Sequence, residues 1–195
     1  MENIARSLTV ALGERDSHTR MHSERVVKLA AELGAHIDLS ERELKLLALG
    51  ARFHDIGKIG IPDSVLRKPA PFEATEWECM KQHPLIGERI ILSIGEDHCA
   101  DLARIVRHHH ENFDGSGYPD GLKGTSIPLF SRIISLTDNY DAMAESRPYH
   151  QARKHDAVMD ILVSEGGVKH DPDLLHAFCT VIEKSDQRTG ETAFP

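Results

Sequence analysis

Apolar residues recur at helical spacing wherever the pattern is clear. Val26, Leu29 and Leu33 form one stripe, at the spacing that places side chains on a single face of an α-helix. Ser40 precedes Glu43 in the spacing of a capping box, which is a signal for a helix start. Alternating patterns typical of β-strands are nearly absent. The sequence therefore predicts an all-α fold with almost no sheet.

The periodicity indicates about seven or eight helices and two irregular segments. The candidate helical ranges are roughly 2–14, 19–35, 40–54, 73–82, 84–94, 98–109, 130–145, 151–164 and 172–184. Residues 57–72 form the first irregular segment, and residues 111–128, with four glycines and two prolines, form the second. A glycine-rich loop of this length is uncommon inside a compact domain unless it is functional or disordered. Because its sequence is aromatic and specific, we expect a functional loop.

Length and composition restrict the class of protein. With 195 residues, 40% of them hydrophobic, the chain is expected to form one domain over residues 1–195, with a flexible polar tail at about 185–195. A net charge of -8 argues against binding of a nucleic acid polymer, which needs a basic surface. No apolar run suggests a secretory signal or membrane insertion. Three cysteines without a CxxC pair fit a cytoplasmic protein that has no disulfide framework.

Among the thirteen histidines, two pairs are informative because of their neighbours. His54 and Asp55 end an apolar helix, and His109 and His110 end another helix just before the glycine loop. Adjacent side chains on a helix diverge by roughly 100°, so two neighbouring ligands suit a site that holds two metal ions. A carboxylate has two oxygens whereas a neutral imidazole offers one nitrogen, which makes Asp55 the natural bridging group.

Three further polar residues lie where the pattern predicts apolar surroundings. His22 falls on the stripe of Val26, and Asp138 follows an apolar run. An unpaired buried carboxylate is costly, so Asp138 needs a partner. His83 stands at a joint between two helices. Taken singly, each residue also fits a hydrogen-bonded core residue without any ligand role.

Two segments carry a family resemblance, ARFHDIGKIGIPD at 51–63 and HHENFDGSGYPDGLKG at 109–124. Together with supporting segments, they resemble the HD-GYP branch of the HD phosphohydrolase superfamily over roughly residues 14–180. The resemblance implies a compact multi-helix bundle around a bi- or trinuclear metal centre. It also implies hydrolysis of cyclic di-GMP by a metal-activated hydroxide, with linear pGpG, GMP or both as products. The supporting segments are 18–26, 80–84, 137–143 and 146–150.

The resemblance also implies a complete set of metal ligands. Imidazole and carboxylate donors without thiolate favour iron, manganese, cobalt, nickel or zinc, and the resemblance favours iron or manganese. Some relatives hold a third metal through a glutamate at the position of His18, which shares a helix face with His22; an exposed histidine is the alternative. The implied ligands are His22, His54, Asp55, His83, His109, His110 and Asp138.

Four further residues are candidates for contact with the substrate. We expect Lys58 to lie near the metal centre, where it would pair with a phosphate oxygen and act in catalysis; an ordinary surface lysine is the alternative. The resemblance implies that Arg147 contacts phosphate or guanine, and His150 replaces a basic residue common in the family. Tyr118 either stacks on a guanine or ribose, or pins the loop to the helices.

Other functions are compatible with the same pattern. One alternative is an HD phosphohydrolase that acts on another cyclic dinucleotide or on nucleotides. A second is a non-catalytic module that binds the messenger or a diguanylate cyclase, and the resemblance suggests a GGDEF-domain protein as a partner. A homodimer is a further expectation. The intact ligand set favours an active enzyme.

Overall fold

The computed structural model describes residues 13, 17–96, 99–145 and 153–188, with only the backbone of residues 17–20. This part of the chain contains no β-strand, and an isolated bridge joins Gly166 to His170. The all-α prediction is confirmed. The helices are α1 (Ser17–His36), α2 (Glu41–Phe53), α3 (Asp63–Leu66), α4 (Ala74–Met80), α5 (His83–Leu92), α6 (Cys99–Arg107), α7 (Leu129–Ala144), α8 (His155–Ser164) and α9 (Pro172–Ile182), with 3-10 turns at Ile56–Gly60 and Gly124–Ser126.

Local sequence signals fix several of these helix ends. At the start of α2, the Glu43 amide donates to Ser40 Oγ, and the Ser40 amide donates to Glu43 Oε2 at 2.8 Å. Both halves of the predicted capping box are therefore present. At the start of α9, the side chain of Asp171 accepts from two backbone amides of the first turn, which satisfies donors that the helix itself leaves free.

Two of the three hydrophobic clusters in the described residues hold the longer helices together. The larger cluster joins α1, α2, α6, α7, α8 and α9, and includes Leu29, Tyr140 and Phe178. The smaller one joins α2, α5 and α6 through residues such as Phe53 and Leu102. Both clusters contribute helix faces or helix ends that carry the histidines and aspartates singled out by the sequence.

A close backbone contact fixes the 3-10 turn against α5. Gly57 lies so near this helix that a Cβ atom would come 1.8 Å from the His83 carbonyl oxygen and 2.6 Å from the Gly87 amide nitrogen. Only glycine fits at that separation. The turn that follows His54 and Asp55 is thereby held beside the first residue of α5.

Some predicted boundaries differ from the structure. Segment 57–72, predicted as irregular, contains a 3-10 turn and α3, and the helix predicted over 151–164 begins at His155. Sequence analysis missed these two short elements because a segment of about one helical turn is too short to show a periodic pattern of apolar residues. The predicted helix at 2–14 lies outside the described residues apart from Gly13, and residues 185–188 form a turn. None of the described helices combines the length and apolar character needed to cross a bilayer.

Candidate metal centre

Three histidines are held by the same local contact. The Nδ1 atoms of His54, His83 and His109 lie 2.7, 2.8 and 2.7 Å from the carbonyl oxygen of the residue three positions earlier. A carbonyl oxygen can only accept, so Nδ1 carries the proton and donates. In the neutral ring the lone pair is then on Nε2, which points away from the helix end. The ends of α2 and α6 and the start of α5 therefore present three nitrogen ligands.

The Nε2 atoms of these rings converge without protein hydrogen-bond donors between them. His83 Nε2 lies 3.3 Å from His109 Nε2, and the buried Nε2 of His54 has no hydrogen-bond partner among the described residues. Two facing lone pairs repel each other unless a cation lies between them. Nitrogens bound at about 2.0–2.1 Å to one ion stand roughly 3.0–3.4 Å apart. The spacing of His83 and His109 fits a shared metal ion.

Burial keeps His83, His109 and His110 neutral, which is the form that binds metal. Desolvation lowers the pKa of His83 to about 4; the negative charge of Asp55 opposes this shift, and the positive charge of Lys58 adds to it. It also lowers the pKa of His110 to about 3 and that of His109 well below its usual value. His83, His109 and His110 form a group whose ligand atoms lie within 4.8 Å of one another.

Asp55 lies between two of the histidines. Its Oδ2 is 3.3 Å from His54 Nε2, and its Oδ1 is 3.5 Å from His83 Nε2. Oδ2 also accepts from Lys58 Nζ at 2.7 Å. Burial alone would raise the pKa of Asp55, but the positive charge of Lys58 and the interactions with His54 outweigh this effect and hold the pKa well below the usual value. Each oxygen of this carboxylate faces a different histidine, as bridging requires.

His22 and Asp138 close the opposite side of the cluster. His22 Nε2 lies 3.0 Å from Asp138 Oδ1, which is 3.8 Å from His54 Nε2. The partner that the sequence required for Asp138 is therefore His22, on α1. Burial would raise the pKa of Asp138, but the hydrogen bond to His22 lowers it instead. Contacts thus link all seven predicted ligands into one cluster, in which His22, His54 and Asp55 form a second group that could hold an ion.

Sequence reasoning missed the residues that orient His22. Its Nδ1 lies 2.6 Å from Asp141 Oδ2, and Arg25 donates to both oxygens of Asp141 at 2.6 and 3.0 Å. Burial would lower the pKa of His22, but hydrogen bonds to Asp138 and Asp141 raise it to about 9. Asp141 follows Asp138 by one helical turn on α7, so both side chains lie on the same face of the helix. This spacing was the sequence signal that could have identified Asp141. A carboxylate behind a ligand histidine fixes the ring so that Nε2 faces the metal.

Replacement of Asp141 by asparagine should weaken metal binding by about 10- to 100-fold, the usual effect of losing such a partner. The amide removes the charge that favours the Nδ1-protonated ring of His22. Competition between the protein and a chelator for Mn²⁺ measures the change. Glu145→Gln is the matched control, because Glu145 contacts Arg25 at 2.5 Å and should have a smaller effect. Equal affinities in Asp141→Asn and the unmodified protein would contradict this role.

Tyr118 extends from the glycine loop over the cluster. Its ring stacks on His110 with centroids 4.9 Å apart and an interplanar angle of 28°, and its amide donates to the His110 carbonyl at 3.2 Å. These contacts support the alternative in which Tyr118 pins the loop. Stacking of this ring on a guanine stays a prediction.

Acidic side chains of the loop also organise its backbone. The buried Glu111 accepts from the amides of Asp120 and Leu122 at 2.8 and 3.0 Å. Asp120 also accepts from Arg107 and His108. Asp120, His108 and Glu111 could formally hold an ion, but these internal bonds already occupy their polar atoms. We therefore assign this group to loop structure.

The back of the loop lies against the turn between α8 and α9. The amide of Phe113 donates to the carbonyl of Lys169 at 3.2 Å, and the amide of Asp114 donates to that of Val168 at 2.8 Å. A partly buried ion pair between Arg132 and Asp171 joins α7 to the start of α9. The conformation of the loop thus depends on elements far along the chain.

Three predicted residues cannot be located. Arg147 and His150 lie outside the described residues, as does the side chain of His18. Lys58 lies beside Asp55 as expected, with a side chain 24% exposed.

The helical bundle and the converging histidines and aspartates define a domain with a candidate metal site. The model of the HD domain family matches residues 6–174, and the chain belongs to this family. It is 37% identical over 190 residues to the cyclic di-GMP phosphodiesterase response regulator RpfG of Xanthomonas campestris, covering 97% of this chain and 50% of that protein. It is 39% identical over 192 residues to a cyclic di-GMP phosphodiesterase of Vibrio cholerae, covering 91% and 39%.

The chain thus spans half or less of the length of these curated relatives. Among solved structures, a cyclic GMP-AMP specific phosphodiesterase of V. cholerae matches with a TM-score of 0.70 at 20% identity, over 94% of this chain and 49% of that one. This likeness supports the fold. The family match and the named relatives agree with the resemblance found in the sequence.

Proposed function

We propose that this domain is a metal-dependent phosphodiesterase that hydrolyses cyclic di-GMP to linear pGpG, GMP or both. The observation that carries the proposal is the convergence of three buried Nε2 atoms with the carboxylates of Asp55 and Asp138. Two relatives at 37% and 39% identity are named cyclic di-GMP phosphodiesterases, which supports the substrate.

The seven clustered residues would hold two divalent cations, iron or manganese. The cations, when bound, supply positive charge at the phosphate and make water a nucleophile at neutral pH. Asp55 would bridge them, since its oxygens face His54 and His83. The protein's contribution is to keep His83, His109 and His110 neutral and to hold the ligand side chains in position, so that little reorganisation is needed when substrate binds. A third ion near His18 stays a prediction from the resemblance.

Lys58 would bind a non-bridging phosphate oxygen from the edge of the centre. Its Nζ already lies 2.7 Å from Asp55 Oδ2, so it can share its donors between the carboxylate and the substrate. Lys58→Met should lower kcat by roughly a hundredfold, in the range for loss of one charge-stabilising donor, while metal remains bound. Metal analysis and steady-state kinetics test this, with the exposed Lys45→Met as control. Loss of metal in Lys58→Met would reassign the residue to support of Asp55.

Anaerobic purification followed by metal analysis and product chromatography tests the function. The protein, loaded with Fe²⁺ or Mn²⁺, is expected to convert cyclic di-GMP to pGpG, GMP or both, and cyclic GMP-AMP is assayed in parallel. If the protein hydrolysed cyclic GMP-AMP but not cyclic di-GMP, the substrate assignment would change to cyclic GMP-AMP. Binding of cyclic di-GMP with bound metal but without turnover would instead favour the non-catalytic module.

The remaining features of the proposal rest on the resemblance. Arg147 and His150 are proposed to contact the substrate, and Tyr118 is proposed to border it. A GGDEF-domain partner, a homodimer and a cytoplasmic location are likewise predictions from sequence.

A further inference from the structure

A row of aromatic side chains leads from the candidate metal centre to the protein surface. Tyr118 stacks on His110, and the ring of Trp77 meets Tyr118 edge-on with centroids 6.1 Å apart. Phe72 lies nearly parallel to Trp77, with centroids 6.3 Å apart and an angle of 25°. These separations lie within the range for interacting rings. The row is therefore continuous from a predicted metal ligand to the outermost ring.

The outer two rings of the row are open to solvent. Trp77 is 45% exposed and Phe72 is 38% exposed, and neither belongs to a hydrophobic cluster of the described residues. Tyr118, by contrast, is largely buried. Burial raises its pKa, and the negative charges of Asp55 and Asp138 raise it further. Tyr118 thus adjoins the centre, whereas Trp77 and Phe72 extend beyond it.

We propose that Trp77 and Phe72 form a stacking platform for a purine base of the substrate, outside the metal centre. This inference rests on the proposed function. A cyclic dinucleotide with a phosphate at the cations carries flat bases on either side of its ring. A base that leaves the centre along Tyr118 meets the exposed rings, which accept a base by its π-face. The platform recognises the face and not the edge, so it supports guanine and adenine alike.

The chain offers a direct readout, because Trp77 is its single tryptophan. Fluorescence of the Mn²⁺-loaded protein, excited at a wavelength that tyrosine does not absorb, therefore reports on Trp77 alone. We expect titration with GMP to quench this fluorescence, and titration with ribose 5-phosphate, which has the phosphate but no base, to leave it unchanged. AMP should quench to a similar extent. Binding of GMP, detected by calorimetry, without any change in fluorescence would overturn the proposal.

Variants give an independent measurement of affinity. Trp77→Leu should weaken GMP binding by about ten- to a hundredfold, as expected for loss of one base–aromatic stack, and Trp77→Phe should retain most of the affinity. Val163→Thr is the control, because Val163 is an exposed apolar residue on α8 and should not change binding. Unchanged affinity in a folded Trp77→Leu protein would refute the platform. If this variant does not fold, the fluorescence titration of the unmodified protein still decides.

Failure of the platform and failure of the proposed function are distinguishable. Hydrolysis of cyclic di-GMP together with unresponsive fluorescence would eliminate the platform only. Absence of both hydrolysis and binding of cyclic di-GMP would remove the proposed function, and the platform with it.

Discussion

Replacement of Asp55 by asparagine is expected to reduce hydrolysis of cyclic di-GMP to about a thousandth or less, a loss of roughly 4 kcal/mol in transition-state stabilisation, and to lower the bound metal. The carboxylate oxygens face His54 and His83 at 3.3 and 3.5 Å, and a neutral amide offers only one oxygen to cations. The near-identical shape of asparagine keeps the packing of the buried site. The loss therefore reports on charge and bridging. Asp55→Ala should have the same effect.

Metal analysis and turnover must be measured on the same preparation of the Asp55 variants. Asp101→Asn is a suitable control, since Asp101 is an exposed acid on α6. Full activity with a full complement of metal in Asp55→Asn would contradict the bridging role. Normal metal content with lost turnover would limit Asp55 to the chemical step.

Gly57→Ala is expected to lower the free energy of unfolding by about 3 kcal/mol, at the upper end for an added methyl group in a packed region. The new Cβ would lie 1.8 Å from the His83 carbonyl oxygen, so the turn and α5 must separate. For a chain of this length the melting temperature should fall by roughly 6–12 °C. Because His83 begins α5, metal content should fall as well.

Gly95→Ala separates crowding from backbone strain. Gly95 has a positive φ of 75°, and a Cβ atom added there would meet no atom of the described residues within 4 Å. Alanine at this position should therefore lower the free energy of unfolding by about 1–2 kcal/mol, which is the energy an L-residue needs to adopt the left-handed conformation. Its melting temperature should fall less than that of Gly57→Ala, and its metal content should not change. Equal melting temperatures in the two variants would show that contact with α5 is unimportant.

The sequence predicts which individual residues belong to the site better than it predicts contacts between residues that are far apart in the chain. The position of His22 on a buried stripe, and the need of Asp138 for a partner, follow from periodicity and the cost of buried charge. The contact between His22 and Asp141 joins residues 119 positions apart, and no local pattern encodes such a pairing. The same limit applies to the row through Trp77, because its ring meets Tyr118 from another part of the chain. Side-chain packing between helices decides both contacts.

The backbone hydrogen bonds from Phe113 and Asp114 to Lys169 and Val168 indicate how far toward the C-terminus an active fragment must extend. A fragment that stops before residue 165 retains all seven predicted ligands but loses the backbone acceptors that support the glycine loop from behind. The turn between α8 and α9 therefore supports the loop, so truncation from the C-terminus should remove catalysis before it removes a single ligand.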